Sequence, residues 1–181
     1  IPEEYGGGGG GIGDVAAVCE ELAAQGCPLL MMVVSPAICG TVISRYGTDE
    51  QKQRWLPGYC AGEIITAIAM TEPGAGSDLQ GISTRATRDG DDWRIDGSKM
   101  FTSGAEIADY VLMLTRTNPD VAKHKGLTMF IVPLKSPGVT IQPVFTFQDE
   151  RTNITYYDGV KVKDSYRLGP VDGGVKVMAG A

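Results

Sequence analysis

Among the 181 residues there is a single histidine, His124, set in the polar stretch "DVAKHKG". One isolated histidine excludes His-rich metal sites and leaves no His-based catalytic triad to be built from this segment. Positive charge is also in deficit: 16 Lys and Arg face 22 Asp and Glu, a net charge of −6. No basic run interleaves with aromatics, so nucleic-acid binding is excluded as the main task, because phosphate neutralisation needs a basic face. A long apolar run is missing too. Gly26 to Ser44 carries no charge, but Pro28, Ser35, Pro36, Gly40 and Thr41 interrupt it, whereas a membrane-spanning helix needs about 20 predominantly apolar residues. That stretch reads as a buried helical pair, and no membrane span is expected. Cysteine is scarce and confined to the first third: Cys19, Cys27, Cys39 and Cys60 are spaced by 8, 12 and 21 residues. This fits no zinc-ligand pattern. With no signal peptide ahead of them, they are expected to be reduced, packed thiols of a cytoplasmic protein.

Glycine, in contrast, is plentiful, with 25 residues, six of them consecutive in "YGGGGGGIGD". Such a run contains G-x-G-x-x-G at Gly6, Gly8 and Gly11 by default. A dinucleotide loop, however, requires a strand leading into the glycines and a helix opening on them. The preceding "IPEEY" is polar and carries a proline, so the strand half of that motif is lacking. The run is read as a connection between helices. At 43% hydrophobic and 21% charged residues the chain has a globular composition.

Two halves differ in period. In "DVAAVCEELAAQG", Val15, Val18, Cys19 and Leu22 fall on one helical face, with Asp14 as the expected N-cap and Gly26 as the stop. A second apolar segment runs from about Leu29, breaks at Pro36 and resumes to Tyr46. Thr48 followed by Gln51 is a capping box, opening a helix whose buried side carries Trp55, Leu56 and Tyr59 and which Pro57 kinks or redefines. After Gly62 the period becomes that of strands: "IITAIAM", "ISTRATRD", "WRIDGSKMFTS", "YVLMLTRT", "LTMFIVPL", "VTIQPVF" and "NITYYDGVKV". Asp89-Gly90, Asp96-Gly97, Asn118-Pro119 and Pro137-Gly138 punctuate them as turns. The fold class is therefore α+β: a helical segment, then an antiparallel β-sandwich or barrel, then the start of a further helix in "GGVKVMAGA".

The stretch richest in chemistry is "AMTEPGAGSD", residues 69–78. A strand end, bare glycine amides and the cap-type residues Ser77 and Asp78 together suit an anion or pyrophosphate seat, and equally suit an ordinary strand-turn-cap connection. A second candidate, "SKMFTSGAEIAD", offers Phe101 as a flat surface beside the hydroxyls of Thr102 and Ser103. On its own it reads as a routine strand with its aromatic facing the core.

Taken together these segments resemble the acyl-CoA dehydrogenase family. "AMTEPGAGSD" followed by "WRIDGSKMFTSGAEIADYVLMLTRT", "GLTMFIVPLKSPGV", "TNITYYDGVKV" and "LGPVDGGVKVM" is similar to its middle domain. "IPEEYGG" and "YGTDEQKQRWLPGYCAGE" are similar to the later part of its N-terminal helical domain. The resemblance implies a division into a partial N-terminal helical domain over residues 1–62, a middle β-domain over 63–170, and the start of a truncated C-terminal helix over 171–181. The family's C-terminal four-helix domain, and the catalytic glutamate it carries, are then absent from this chain, which is expected to be part of a longer enzyme. The resemblance implies FAD as cofactor, with Met70 and Thr71 beside the flavin ring and Gly76 and Ser77 lining the cofactor. Ser77 also lines the acyl-CoA channel, Phe101 covers the isoalloxazine, and Thr102 and Ser103 lie next to it. Phe101 stands where the family commonly has Trp, and Ser103 where it often has Thr. The implied reaction is α,β-dehydrogenation of an acyl-CoA thioester to the trans-2-enoyl-CoA, with electrons passing to an electron-transfer flavoprotein. A homo- or hetero-oligomer, dimer or tetramer, is implied, in the cytoplasm or, in a eukaryote, the mitochondrial matrix. No metal and no catalytic residue are expected within residues 1–181, Glu72 included. Other readings are a flavin monooxygenase or nitroalkane-oxidase type relative, a non-catalytic acyl-CoA-dehydrogenase-like subunit, and a plain β-sandwich interaction domain.

Overall fold

The computed structural model describes residues 1–27, 31, 33–147 and 151–180. The chain opens with a single 3-10 turn, Glu3–Tyr5, and the glycines lead from it to helix α1, Ile12–Ala24. The glycine run folds back on the first residues: the amides of Gly7 and Gly9 donate to the carbonyls of Pro2 and Ile1 at 3.1 and 3.2 Å. A Cβ on residue 7 would lie 2.0 Å from the Ile1 carbonyl oxygen, so the close approach that demands glycine there is to the chain itself. The run joins the Glu3–Tyr5 turn to helix α1.

Helix α1 begins one turn earlier than expected. Gly11 is the N-cap, and Asp14 sits inside the first turn with its carboxylate accepting from the Gly11 amide at 2.7 Å. The expected apolar face is only half realised: Val15, Cys19 and Leu22 are half-buried, while Val18 is 50% exposed. Among the described residues the helix packs against the Val33–Cys39 segment. Of "PLLMMVV", Pro28, Leu29, Leu30 and Met32 lie outside the described residues, while Met31 packs against the inner β-core. Pro36 does not break the next helix. Val33–Cys39 widens into a π-helix around it and continues as α2, Gly40–Tyr46, since the wider turn accommodates a residue without an N–H. Helix α3, Asp49–Ala61, runs through Pro57 without interruption. Its capping box forms as expected, with Thr48 Oγ1 accepting from the Gln51 amide and Gln51 Oε1 from the Thr48 amide. Gly62, at φ 72°, ends it in the left-handed conformation.

The second half is a mostly antiparallel sheet of β1 (Thr66–Ala69), β2 (Arg85–Asp89), β3 (Asp92–Lys99), β4 (Tyr110–Arg116), β5 (Leu127–Pro133), β6 (Val139–Phe145), β7 (Arg151–Val162) and β8 (Arg167–Leu168). Its order is β6-β7-β3-β2-β4-β5-β8, with β1 lying parallel to β4, a pairing that the strand pattern alone does not suggest. Asp89-Gly90 turns between β2 and β3 as expected. Asp96-Gly97 does not turn: it is a bulge inside β3, where the register against β7 shifts between Ile95 and Gly97. A short helix, α4 (Gly174–Met178), follows β8.

Strands β4 and β5 are buried on both faces, which explains their unbroken apolar sequences. Leu112, Leu114, Met129 and Ile131 face Val42, Ile43, Trp55 and Leu56 of the helices. Val111, Met113, Phe130 and Val132 face Trp93, Ile95 and Val160 across the sheet. Full burial of a side chain such as Leu56 contributes roughly 1.5–3 kcal/mol, so this layer fixes the helices on the sheet and with them the strand ends. The cysteines depart from expectation: only Cys39 is buried, Cys19 is half-buried, and Cys27 and Cys60 are exposed free thiols. Burial pushes the Cys39 thiol up to about 12, so it is an inert packing group.

Candidate functional site

Strand β1 ends at Ala69, and the chain leaves the sheet through Met70 and Thr71 into a tight turn. Glu72 and Ala75 exchange both backbone hydrogen bonds, at 3.0 and 3.1 Å, around Pro73-Gly74. Gly76 and Ser77 are exposed beyond the turn, and a Cβ on Gly76 would meet nothing within 4 Å. This glycine therefore opens onto free space, in contrast to Gly7. Asp78 makes no capping bond to the short 3-10 turn Leu79–Gly81 that follows; its carboxylate pairs with Lys123 at 3.3 Å. The cap expected there does not form.

Strand β3 ends at Lys99 rather than running on through "MFTS". The Met100 amide donates to the Thr71 carbonyl at 2.8 Å, which brings the two candidate segments side by side. Phe101 then takes φ 58° and is 58% exposed. The core-facing reading of this aromatic does not hold, because the turn out of the strand lifts the ring off the sheet. Thr102 is buried, with its amide on the Asn153 carbonyl at 2.9 Å and its own carbonyl accepting from Asn153 Nδ2 at 3.0 Å. Asn153 Nδ2 also reaches Glu106 at 2.6 Å. The Ser103 hydroxyl lies 3.0 Å from that of Thr152, and the Thr102 hydroxyl 3.3 Å from that of Thr155. Strand β7 thus supplies three polar side chains that pin the loop in its turned-out form.

Beneath this surface lies a pair that sequence reasoning missed. Lys99 Nζ and Glu72 Oε1 are 2.9 Å apart, with the two side chains 0% and 4% exposed. Lys99 also donates to the carbonyls of Met70 at 3.1 Å and Leu114 at 2.8 Å. Glu72 accepts from the Ser83 amide and hydroxyl, at 2.6 and 2.8 Å, and from the Thr84 amide at 2.9 Å. Burial alone would push the Glu72 carboxyl up, but the Lys99 charge and the Thr84 and Ser83 donors outweigh it and hold it at about 2. Burial likewise draws the Lys99 ammonium down to about 8, against the pull of Glu72. A carboxylate so held is a poor proton acceptor near neutrality. The sequence signal available for the pair was slight: two opposite charges, each at the end of a strand run.

The site is thus a solvent-facing aromatic in a strained backbone, flanked by the half-buried Met70, Thr71 and Ser103, with an open glycine turn alongside. Among the described residues the Thr71 hydroxyl makes no hydrogen bond within the chain. An exposed ring bordered by an available hydroxyl and bare amides suits a planar heteroaromatic ligand with a polar edge and an anionic tail. Among the described residues no group of three or more His, Cys, Asp or Glu is placed to hold a metal ion. No helix among them is long and apolar enough to cross a membrane.

Comparison with known proteins identifies a family. The family model "Acyl-CoA dehydrogenase, N-terminal domain" matches residues 1–63, and "Acyl-CoA dehydrogenase, middle domain" matches residues 67–156. The acyl-CoA dehydrogenase FadE12 of Mycobacterium tuberculosis is 43% identical over 177 residues, which cover 97% of this chain and 46% of that protein. Among solved structures, the Tcur3481-Tcur3483 steroid ACAD superposes with a TM-score of 0.92 at 44% identity, covering 98% of this chain and 46% of that one. Butyryl-CoA dehydrogenase from Megasphaera elsdenii superposes with a TM-score of 0.90 at 28% identity, covering 98% and 48%. The chain spans about half the length of the relatives it matches. On two family models that between them cover most of its length, this chain belongs to the acyl-CoA dehydrogenase family.

Proposed function

We propose that the protein is an FAD-dependent acyl-CoA dehydrogenase that converts an acyl-CoA thioester to its trans-2-enoyl-CoA. The observation that carries this reading is the Phe101 loop: an aromatic held out of the core at φ 58°, tied to Thr71 through the Met100 amide. Phe101 would cover one face of the flavin ring, and Thr71 would donate its hydroxyl to the ring's polar edge. Met70, Thr102 and Ser103 would border the ring. Gly76 and Ser77 would line the cofactor where it meets the acyl-CoA channel, with Ser77 touching substrate. When bound, the flavin would supply the hydride acceptor for the β-carbon of the thioester, with Met70, Thr71, Phe101 and Ser103 holding its ring. The residues of this chain bind, orient and exclude water. Glu72 is committed to Lys99, Ser83 and Thr84, so the base is sought outside residues 1–181.

The same reading includes transfer of electrons to an electron-transfer flavoprotein, a cytoplasmic setting, and assembly as a homo- or hetero-oligomer. It divides the chain into a partial N-terminal helical domain over 1–62, a middle β-domain over 63–170 and the start of a C-terminal helix over 171–181. The test is an anaerobic visible spectrum of the protein before and after addition of a mixed set of acyl-CoAs. Loss of the oxidised flavin band is the expected result. A yellow protein that does not bleach refutes dehydrogenation and favours a non-catalytic subunit or an oxygenase-type relative, and a colourless one refutes the flavin site.

A further inference from the structure

We propose that Lys99 and Glu72 are positioning residues for the flavin-facing surface: their buried pair ties the Met70–Thr71 strand end to the Met100–Ser103 loop. The inference rests on the functional reading above and concerns what holds that surface in shape.

A fully buried ammonium-carboxylate pair is not explained by stability alone. Desolvating both charges opposes their attraction, and apolar residues of similar volume often replace such pairs without loss. What an apolar pair cannot supply is connectivity. Lys99 has three donors, and all three are used: on Glu72, on the Met70 carbonyl and on the Leu114 carbonyl. Glu72 carries the same network to the entrance of β2 through Ser83 and Thr84. Two side chains therefore cross-link the end of β1, the 72–75 turn, the start of β2, the end of β3 and the middle of β4. Their sequence positions place them at the junctions that matter. Glu72 directly follows Thr71, and Lys99 directly precedes Met100, whose amide bonds the Thr71 carbonyl. Neither side chain reaches the open surface, with exposures of 0% and 4%, so both act through Met70, Thr71 and the turned-out loop. Where a reacting centre is held against a planar ring, a misplacement of about 1 Å costs on the order of a hundredfold in rate, and a charged cross-link beneath both segments guards against that.

The deciding variant is the neutral pair K99M/E72Q in the full protein. K99M alone leaves a buried carboxylate without its cation and tests mostly stability, whereas the double variant removes both charges and keeps an oxygen for Ser83. It still deprives the Met70 and Leu114 carbonyls of their donor. The expected result is a lowered melting temperature, since the buried Met70 and Leu114 carbonyls lose their donor, together with amide hydrogen exchange accelerated at least tenfold more at Met100 and Thr102 than in β5. The FAD dissociation constant should rise at least tenfold. Wild-type exchange and wild-type FAD affinity in the double variant overturn the proposal. So does uniformly faster exchange that includes β5, which is global loosening. A wild-type protein that binds no FAD overturns the cofactor reading alone, and the exchange rates at Met100 and Thr102 then decide the clamp.

Discussion

Replacing Phe101 with asparagine separates folding from cofactor binding, because the two effects have different signs or sizes. Phe101 sits at φ 58° with more than half of its surface in solvent. A bulky residue in the left-handed region costs roughly 1–2 kcal/mol. Here the Met100 amide on Thr71 and the two-way bonds between Thr102 and Asn153 hold the backbone in that form. Asparagine tolerates the left-handed region and forfeits only the packing of that part of the ring which touches protein. Relief of strain and forfeited packing are similar in size, so stability is expected to stay within about 1 kcal/mol of wild type. Flavin binding has no such compensation. An aromatic stacking interaction is worth about 0.5–1.5 kcal/mol beyond its area, and with the buried ring area the loss comes to about 1–2 kcal/mol, or about 5–30-fold in affinity. Thermal melts of the apoprotein and fluorescence titration with FAD measure the two quantities separately, and Phe101→Tyr is expected to match wild type in both. The reasoning is refuted if Phe101→Asn loses 2 kcal/mol or more of stability while FAD affinity is unchanged. That pattern belongs to a packing residue.

Three further outcomes follow from the same geometry. The Glu72 carboxyl is lowered from 4.5 to about 2 in the fold, so its contribution is fully present above pH 4.5 and is lost as the pH falls toward 2. Denaturation midpoints across that window should fall more steeply for wild type than for Glu72→Gln, and equal slopes would contradict the pairing. Gly97, at φ 147° in the β3 bulge, would place a Cβ 2.6 Å from Thr84 Oγ1 and 2.8 Å from Thr84 Cα; Gly97→Ala is expected to cost about 1–3 kcal/mol in urea unfolding. Thr48→Ala removes the acceptor for the Gln51 amide and should cost about 1 kcal/mol, with no change in FAD affinity.

What could be read from the sequence was whatever a local rule governs. The Thr48 capping box, the strand runs of β4 and β5 and the decoy character of the glycine run depend on residues within one or two turns of each other, and local chemistry settled them. Asp96-Gly97 shows where that logic ends. The dipeptide has turn chemistry, yet pairing with β7 on one side and the approach of Thr84 on the other make it a bulge, and both partners are remote in sequence. Pro36 and Pro57 were overruled in the same way, because tertiary packing and a widened turn carry the helices through them. The site divides along the same line. The residues proposed to face a flavin were named from a motif, but the reason Phe101 points outward could not be seen: it depends on Asn153, Thr152 and Thr155 of a strand some fifty residues away. Lys99 was hidden for a related reason. Twenty-nine residues separate it from Met70, and in a strand pattern a lysine reads as the solvent face. Only the two-sided burial of the neighbouring strands turns that face inward. A charged residue at the last position of a strand therefore has two physical meanings in a sequence, and the partner that distinguishes them is another strand end.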